Sequence, residues 1–164
     1  MLDNCKTKEE RWEGVQALVD RWLAERQELV VLLFSLSDAN EFTAKCSQSL
    51  NKLRQFSQIL LDYVSAGHFE VYDQLVREAE EYHDGSECLL SKLFPQIKQT
   101  TDVALAFNDS YDTDEHCEQA LGRLKDELSV LGESLTQRFA LEDRLIKRLH
   151  ESHNPALQNV AATA

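Results

Sequence analysis

The sequence predicts an all-α protein, an antiparallel helical bundle with a four-helix-bundle core, in which one helix is broken near Gly67. Three observations support this fold class. Hydrophobic residues recur three or four positions apart over long stretches, which is the period of an amphipathic helix. The 164 residues include only 2 prolines and 5 glycines, too few for the many tight turns of an all-β fold. The connections between the periodic stretches are short, which favours antiparallel neighbours.

The first helix is expected to run from a capping box at Thr7 and Glu10 to about Ser37. Its apolar seam has an a/d-type spacing and consists of Trp12, Val15, Val19, Trp22, Arg26, Leu29, Leu33 and Leu36. Arg26 is the only polar member of this seam. Two interpretations stay open: its stem packs while the charged head reaches the surface, or a buried carboxylate pairs with the guanidinium.

Four further helices are expected along the chain. The second begins near Asn40 and reaches Gly67, where a glycine interrupts the helical pattern. A short third helix covers residues 68–82, and a fourth covers residues 86–108. The fifth helix, over residues 114–152, is the longest.

Two of these helices carry residues that depart from a simple apolar seam. Pro95 either kinks the fourth helix or follows a break in it. Arg138 and Glu142 lie four positions apart on the seam of the fifth helix. Residues 1–153 are expected to form a single helical bundle domain, and the uncharged residues 154–164 are expected to form a disordered C-terminal tail.

The composition is strongly acidic. The formal net charge is −12, and the sequence pI is near 4.8. Such a surface repels phosphate backbones, which argues against direct binding of DNA or RNA. It would attract a basic protein partner, unless the acidity serves only to keep the chain in solution.

The sequence does not predict a membrane-spanning or exported chain. No apolar run approaches the roughly 20 residues that a membrane-spanning helix needs, and the polar first residues do not resemble a secretory signal. The four cysteines, Cys5, Cys46, Cys88 and Cys117, lie far apart. This spacing fits reduced thiols rather than a zinc site or a disulfide scaffold, so we expect a cytoplasmic protein.

No catalytic residue, metal ligand or cofactor is predicted, and the chain is not expected to be an enzyme. A di-iron bundle needs two Glu-x-x-His motifs, but only the one that ends at His83 occurs. Asp62, Ser65 and His68 offer the residue types of a nucleophilic triad. However, neither a glycine-rich oxyanion loop nor a nucleophile elbow accompanies them.

One helical face combines side chains that neither a plain core nor a plain solvent face would combine. Asp62, Ser65, Ala66 and Phe69 share it, at spacings of three and four. Either they form a satisfied polar pair inside the bundle with Phe69 as core, or they form a partner-binding groove. In a groove, Phe69 would anchor an apolar side chain of the partner, and Asp62 would pair with a basic residue.

Three segments of the chain resemble the Rsd/AlgQ family of anti-sigma factors. They are residues 18–23 (LVDRWL), 62–69 (DYVSAGHF) and 138–146 (RFALEDRLI). The resemblance extends from Met1 to about His150. Residues 25–29 (ERQEL) and 104–109 (ALAFND) look closer to the AlgQ branch of pseudomonads than to the enteric Rsd branch.

The resemblance implies an all-helical anti-sigma factor. Family members bind region 4 of the primary sigma factor, a basic helix-turn-helix, and reduce its use by RNA polymerase. The AlgQ branch is associated with alginate, siderophore, stationary-phase and virulence genes. The positions that match residues lining the family's central cavity near the sigma-binding surface are Asp62, Ser65 and Phe69. Leu18 and Trp22, in the first shared segment, are further candidates for contact with the sigma factor.

Other functions stay open beside this one. The chain could be an acidic helical adaptor that binds another regulator, or a bundle that senses a ligand or a metal. We expect it to be a monomer or a weak dimer.

Overall fold

The chain folds into an all-α bundle, as the sequence predicts, in a computed structural model that describes residues 6–38 and 47–162. The α-helices are α1 (Lys8–Ser37), α2 (Ser47–Ala66), α3 (Tyr72–Glu80), α4 (Ser86–Tyr111), α5 (Asp114–Ala120), α6 (Leu124–Leu149) and α7 (Pro155–Ala162). The turn expected after Ser37, the expected start of the second helix near Asn40, and two cysteines, Cys5 and Cys46, lie outside the described residues.

Four long helices form the core. Helix α1 packs against α2 and α6, and α4 also packs against α2 and α6, so the four close a ring around one hydrophobic core. The short α3 covers the side of the ring where α1 and α6 meet. This arrangement confirms the predicted helical bundle. Within the described residues, no helix has the length and apolar character that a bilayer-spanning helix requires.

Helix α1 begins at the predicted capping box. The Thr7 hydroxyl accepts a hydrogen bond from the Glu10 N–H at 3.1 Å, and the Glu10 carboxylate accepts one from the Thr7 N–H at 2.8 Å. The two side chains thus satisfy backbone donors that the first helical turn leaves open. The sequence therefore predicted both the start of this helix and the reason for it.

The predicted break near Gly67 is a π turn, Gly67–Val71, which ends α2 and joins it to α3. The Tyr72 N–H donates to the Gly67 carbonyl, five residues back. The α-helix is therefore interrupted where the sequence predicts, and the interruption takes the form of a wider helical turn. Glycine adds no side chain here, so the backbone can approach a neighbouring helix closely while it remains helical.

The fifth helix differs from its predicted form. It is divided into α5 and α6 by a 3₁₀ turn, Leu121–Arg123, which contains Gly122. Glycine is unfavourable in a helix interior because it loses more backbone entropy on folding than other residues. Gly122 therefore explains why the helix is divided at this point. The fourth helix, in contrast, runs through Pro95 without ending.

The C-terminal tail also differs from the expectation, because residues 155–162, which were expected to be disordered, form α7. Two local features explain this helix. The Asn154 side chain accepts a hydrogen bond from the Ala156 N–H at 3.0 Å, as a capping residue does. Pro155 occupies the first helical position, where its fixed φ and missing N–H are tolerated.

Candidate functional site

An apolar depression with a volume of about 930 Å³ lies between α3 and α4. We call it the α3–α4 groove. It is lined by Val64, Ser65, His68, Phe69, Tyr72, Asp73, Val76, Ser91, Phe94, Pro95, Ile97, Lys98, Thr101, Asp102 and Leu105. Its volume falls in the range of ligand and anchor pockets, and its lining is mainly apolar with a few charged side chains.

Phe69 stands on the rim of this groove with 78% of its surface exposed. Its ring packs edge-on against the His68 ring, with centroids 4.9 Å apart. Phe94 and Leu105, on the opposite wall, are also exposed large hydrophobic residues. The interpretation of Phe69 as core is therefore wrong. Neighbouring apolar side chains left open to solvent on a folded surface commonly mark a site of protein contact.

The other two residues of the predicted face occupy different positions. Ser65 is half-buried and lines the groove beside Phe69. Asp62 lies one turn earlier on α2, exposed and outside the groove, where it accepts a hydrogen bond from the Gln58 side chain at 2.9 Å. The structure therefore brings Ser65 and Phe69 together and leaves Asp62 on the adjoining surface.

Asp62 belongs to a group of carboxylates on the α1 side of the π turn, the acidic cluster Glu25, Glu28, Asp62 and Glu70. Burial raises the pKa of the Glu25 carboxyl, and Arg21 lowers it in part. The other three carboxylates of the cluster raise the pKa of Glu25 further. Like charges held this close repel one another, so a cation from a partner would be favourable beside them.

Trp22 and Leu18 do not line the α3–α4 groove. Trp22 is 2% exposed; its indole stacks on the Tyr63 ring at 5.0 Å, and its N–H donates to the Tyr63 carbonyl at 3.2 Å. It supports α2 from inside the core. Leu18 is half-buried and lines a separate depression between α1 and α3.

A buried polar network lies beneath the α3–α4 groove, centred on the Glu142 carboxylate. One of its oxygens accepts from Arg138 Nε at 2.7 Å and from the Tyr72 hydroxyl at 2.6 Å. The other accepts from Arg26 Nη2 at 3.0 Å and from the Tyr63 hydroxyl at 2.5 Å. Because all these donors converge on one carboxylate, their hydrogen bonds replace the water that the buried negative charge has lost.

Arg138 links this network to the groove floor. Its Nη1 donates to the Thr101 hydroxyl at 2.7 Å, and its Nη2 donates to the Tyr72 hydroxyl at 2.9 Å. Both acceptors line the α3–α4 groove. The sequence signalled the network only in part, through the polar seam residues Arg26, Arg138 and Glu142. Of the two interpretations of Arg26, pairing with a buried carboxylate is correct.

The tyrosines of the network act as fixed donors. Burial raises the pKa of Tyr63 and Tyr72 far above the usual range, and the nearby Glu142 carboxylate raises both further. Each phenol therefore keeps its proton and holds the carboxylate in place. This chemistry suits a rigid floor for binding rather than proton transfer. In the described part of the chain, no group of three or more His, Cys, Asp or Glu is arranged to hold a metal ion.

Comparison with known proteins gives one family and several relatives. The family model described as "Regulator of RNA polymerase sigma(70) subunit, Rsd/AlgQ" matches residues 1–150. A "Regulator of sigma D" from Yersinia enterocolitica is 32% identical over 157 residues, which are 95% of this chain and 94% of the relative. One from Yersinia pestis is 32% identical over 95% of this chain and 93% of the relative. One from Enterobacter sp. (strain 638) is 36% identical over 89% of this chain and 88% of the relative.

Proposed function

Because the chain belongs to the Rsd/AlgQ family of regulators of the RNA polymerase sigma(70) subunit, we propose that it is an anti-sigma factor that binds region 4 of the primary sigma factor. Binding reduces the use of that factor by RNA polymerase. One observation carries the choice of surface: Phe69 is exposed on the rim of an apolar groove and lies next to the acidic cluster.

The α3–α4 groove supplies the apolar part of the proposed interface. Phe69, Phe94 and Leu105 offer large hydrophobic surface around a depression of about 930 Å³. Burying such side chains releases roughly 25 cal/mol per Å² of apolar surface, and a few desolvated anchors usually dominate binding energy. We infer that an apolar side chain of region 4 enters this groove beside Phe69, and that Ser65 lies at the contact.

The acidic cluster supplies the polar part. A helix-turn-helix that reads promoter DNA carries basic side chains for phosphate contacts, and the net charge of this chain is −12. Asp62 and its neighbours can pair with those same basic side chains, so bound region 4 is masked from DNA. Long-range attraction then governs the association rate, and the buried apolar contacts govern the residence time.

Leu18 and Trp22 have separate places in this proposal. Trp22 is buried against Tyr63, so it acts by holding α2 and the π turn in position rather than by touching the partner. Leu18, on α1, lines the separate depression between α1 and α3. It would touch a sigma factor only if the interface extended around α3.

Titration of the full chain with purified region 4, followed by fluorescence anisotropy at rising salt, tests the proposal. We expect saturable binding whose association rate falls with ionic strength, and displacement of labelled promoter DNA from region 4. Asp62→Asn should slow association, whereas Glu118→Gln, which alters an exposed carboxylate on α5, should not. Absence of binding even at low ionic strength would overturn the proposal.

The wider consequences follow from the resemblance to the AlgQ branch. We propose that the chain acts in the cytoplasm as a monomer or weak dimer, lowers transcription from housekeeping promoters, and thereby affects alginate, siderophore, stationary-phase and virulence genes. Transcription in vitro with primary and alternative sigma factors competing for core enzyme measures the first of these effects. Sedimentation of the free chain and of its complex with region 4 measures the stoichiometry.

A further inference from the structure

Two histidines at the C-terminal end of α6 are buried. His150 is fully buried and His153 is 6% exposed, and they lie at a 3₁₀ turn, Glu151–His153, which connects α6 to α7. The His150 ring stacks on Trp12 with centroids 4.6 Å apart, and the His153 ring stacks on Tyr82 with centroids 3.8 Å apart. Neither ring can turn freely between such neighbours, so the fold decides which atoms face its nitrogens.

Both ring nitrogens of His150 face acceptor oxygens. Nδ1 lies 2.6 Å from Oε2 of Glu78 on α3, and Nε2 lies 2.9 Å from Oε1 of Gln16 on α1. The Gln16 amide group donates to Asp20 at 2.7 Å, so turning the amide would place its oxygen against the Asp20 carboxylate. A neutral imidazole carries a proton on one nitrogen only. The two contacts of the ring are therefore both favourable only when each contains a proton.

His153 is held in the same way. Its Nδ1 lies 3.1 Å from the Leu149 carbonyl oxygen, and its Nε2 lies 3.1 Å from Oδ2 of Asp84. A backbone carbonyl can only accept. Hydrogen bonds from Ser86 lower the pKa of Asp84 below its ordinary value, so this carboxylate is ionised near neutral pH and can only accept as well. His153 thus fits its two partners as an imidazolium.

The buried Glu78 carboxylate depends on this protonation. The other charged side chains near the two rings are at least partly exposed, and they are Lys8, Arg11, Asp20, Glu81 and Arg148. Among residues 6–38 and 47–162, the one ion-pair partner of Glu78 is His150, and Glu78 Oε1 has no hydrogen-bond partner. Loss of the proton would leave a buried carboxylate without a compensating charge, which is strongly unfavourable.

We propose that this end of the bundle is fastened by a proton-dependent clasp, which consists of two ion pairs, Glu78–His150 and Asp84–His153. We call it the histidine clasp. It is closed when both imidazoles are protonated, and it loosens as they lose protons. Histidine ordinarily changes its charge between about pH 5 and 8, so the clasp responds in the physiological range. Helix α7 packs on α1 and on the 3₁₀ turn, and it is therefore the segment that an open clasp releases.

The sign of the pH dependence follows from the number of bound protons. The closed clasp holds a proton at each of its four ring nitrogens, whereas a histidine in an unfolded chain gives one up as the pH rises through its ordinary range. The folded state then binds more protons than the unfolded state, so the clasp contributes stability at low pH and loses it as the pH rises. None of its four residues lines the α3–α4 groove, and the clasp does not depend on the proposed anti-sigma function.

NMR spectra of the isotope-labelled full chain test the clasp. At about pH 5, below the range in which histidine ordinarily titrates, we expect both ring nitrogens of His150 and of His153 to show the chemical shifts of protonated nitrogen. As the pH rises, the rings should lose one proton each. Amide protection in α7, corrected for the intrinsic exchange rate, should fall at least about tenfold over the same pH range. Titration of the exposed His83 serves as the internal comparison.

The double variant Glu78→Gln/Asp84→Asn separates the charge from the packing. Without the carboxylates, the two rings should lose their protons at lower pH than in the parent chain, and the protection of α7 should lose its dependence on pH. The matched control is Glu80→Gln/Glu87→Gln, which removes two exposed carboxylates outside the clasp and should change neither result.

Three results would overturn the clasp. They are a singly protonated ring at about pH 5, protection of α7 that stays constant while the rings titrate, and an unchanged titration of the rings in the double variant. If that variant fails to fold, the titration and the protection measured on the parent chain decide by themselves.

Discussion

A Cβ atom on Gly67 would lie 2.8 Å from Cζ2 of Trp22. The indole cannot retreat easily, because it stacks on Tyr63 at 5.0 Å and meets the edge of Tyr72 at 5.7 Å. Position 67 therefore requires a glycine because of the close contact with α1, and not because the backbone adopts unusual dihedral angles there. Its packing against Trp22 ties the π turn, and with it the position of Phe69, to the core.

Gly67→Ala should destabilise the fold by about 1–3 kcal/mol, since overpacking a rigid aromatic contact forces a shift of backbone or ring. Chemical denaturation measures the change in the free energy of unfolding. The matched control is Gly132→Ala in α6, where a new Cβ would meet only Leu33 Cδ2 at 3.9 Å. That change should stabilise the helix by about 0.5–1 kcal/mol. Equal effects of the two substitutions would contradict the role assigned to the contact with Trp22.

Phe69→Ala should weaken binding of region 4 at least about tenfold while leaving thermal stability unchanged, because the ring is exposed in the free chain and buried only in the complex. Isothermal titration calorimetry gives the dissociation constant. Phe34→Ala is the control, since Phe34 is 66% exposed on α1 and lies outside the α3–α4 groove. A loss of stability in the Phe69 variant would indicate that the ring contributes to the fold.

Glu142→Gln should cost about 3–5 kcal/mol of stability, because it leaves Arg26 and Arg138 without their shared carboxylate in the interior. Denaturant melts monitored by circular dichroism measure this loss. Glu133→Gln, an exposed change on the same helix, should remain within about 0.5 kcal/mol of the parent chain. A mild effect at Glu142 would mean that water or another acceptor replaces the carboxylate.

The lowered pKa of Asp84, near one end of the bundle, predicts that the stability of the fold depends on pH. Its hydrogen bonds from Ser86 lower its pKa below the ordinary 3.8, with Arg148 and His153 adding to the effect. A carboxyl with a lowered folded pKa contributes stability above its unfolded pKa and loses it as the pH falls through the folded value. Asp84→Asn should therefore lower the melting temperature at pH 7, and the difference should shrink below about pH 4. Glu87→Gln, exposed on α4, should show no such trend.

The sequence predicted those features that depend on local pattern. The capping box at Thr7 and the spacing of Arg138 and Glu142 are both visible within a few residues, and both appear in the structure. The features it did not predict depend on distant groups. Phe69 lies exposed in the π turn, and Gly67 of that turn packs on Trp22, 45 positions earlier.

One sequence signal of the π turn was available. Five buried residues recur every four positions through this region, namely Tyr63, Gly67, Val71, Leu75 and Ala79. An α-helix advances about 100° per residue, so each step of four drifts by about 40°. An uninterrupted α-helix would have turned the last of these residues out of the core. A run of buried residues at every fourth position over this length is therefore a pattern that favours a wider turn.

The π turn has a consequence for how this segment tolerates insertions and deletions. Compared with a regular helix, it holds one surplus residue. Because the wider turn absorbs that residue, deleting one residue of Gly67–Val71 would restore α-helical hydrogen bonding and leave α3 in nearly its present orientation relative to α2. In a regular α-helical stretch, the same deletion would rotate everything that follows by about 100°. The core position of Leu75 would thus survive a one-residue deletion inside the turn.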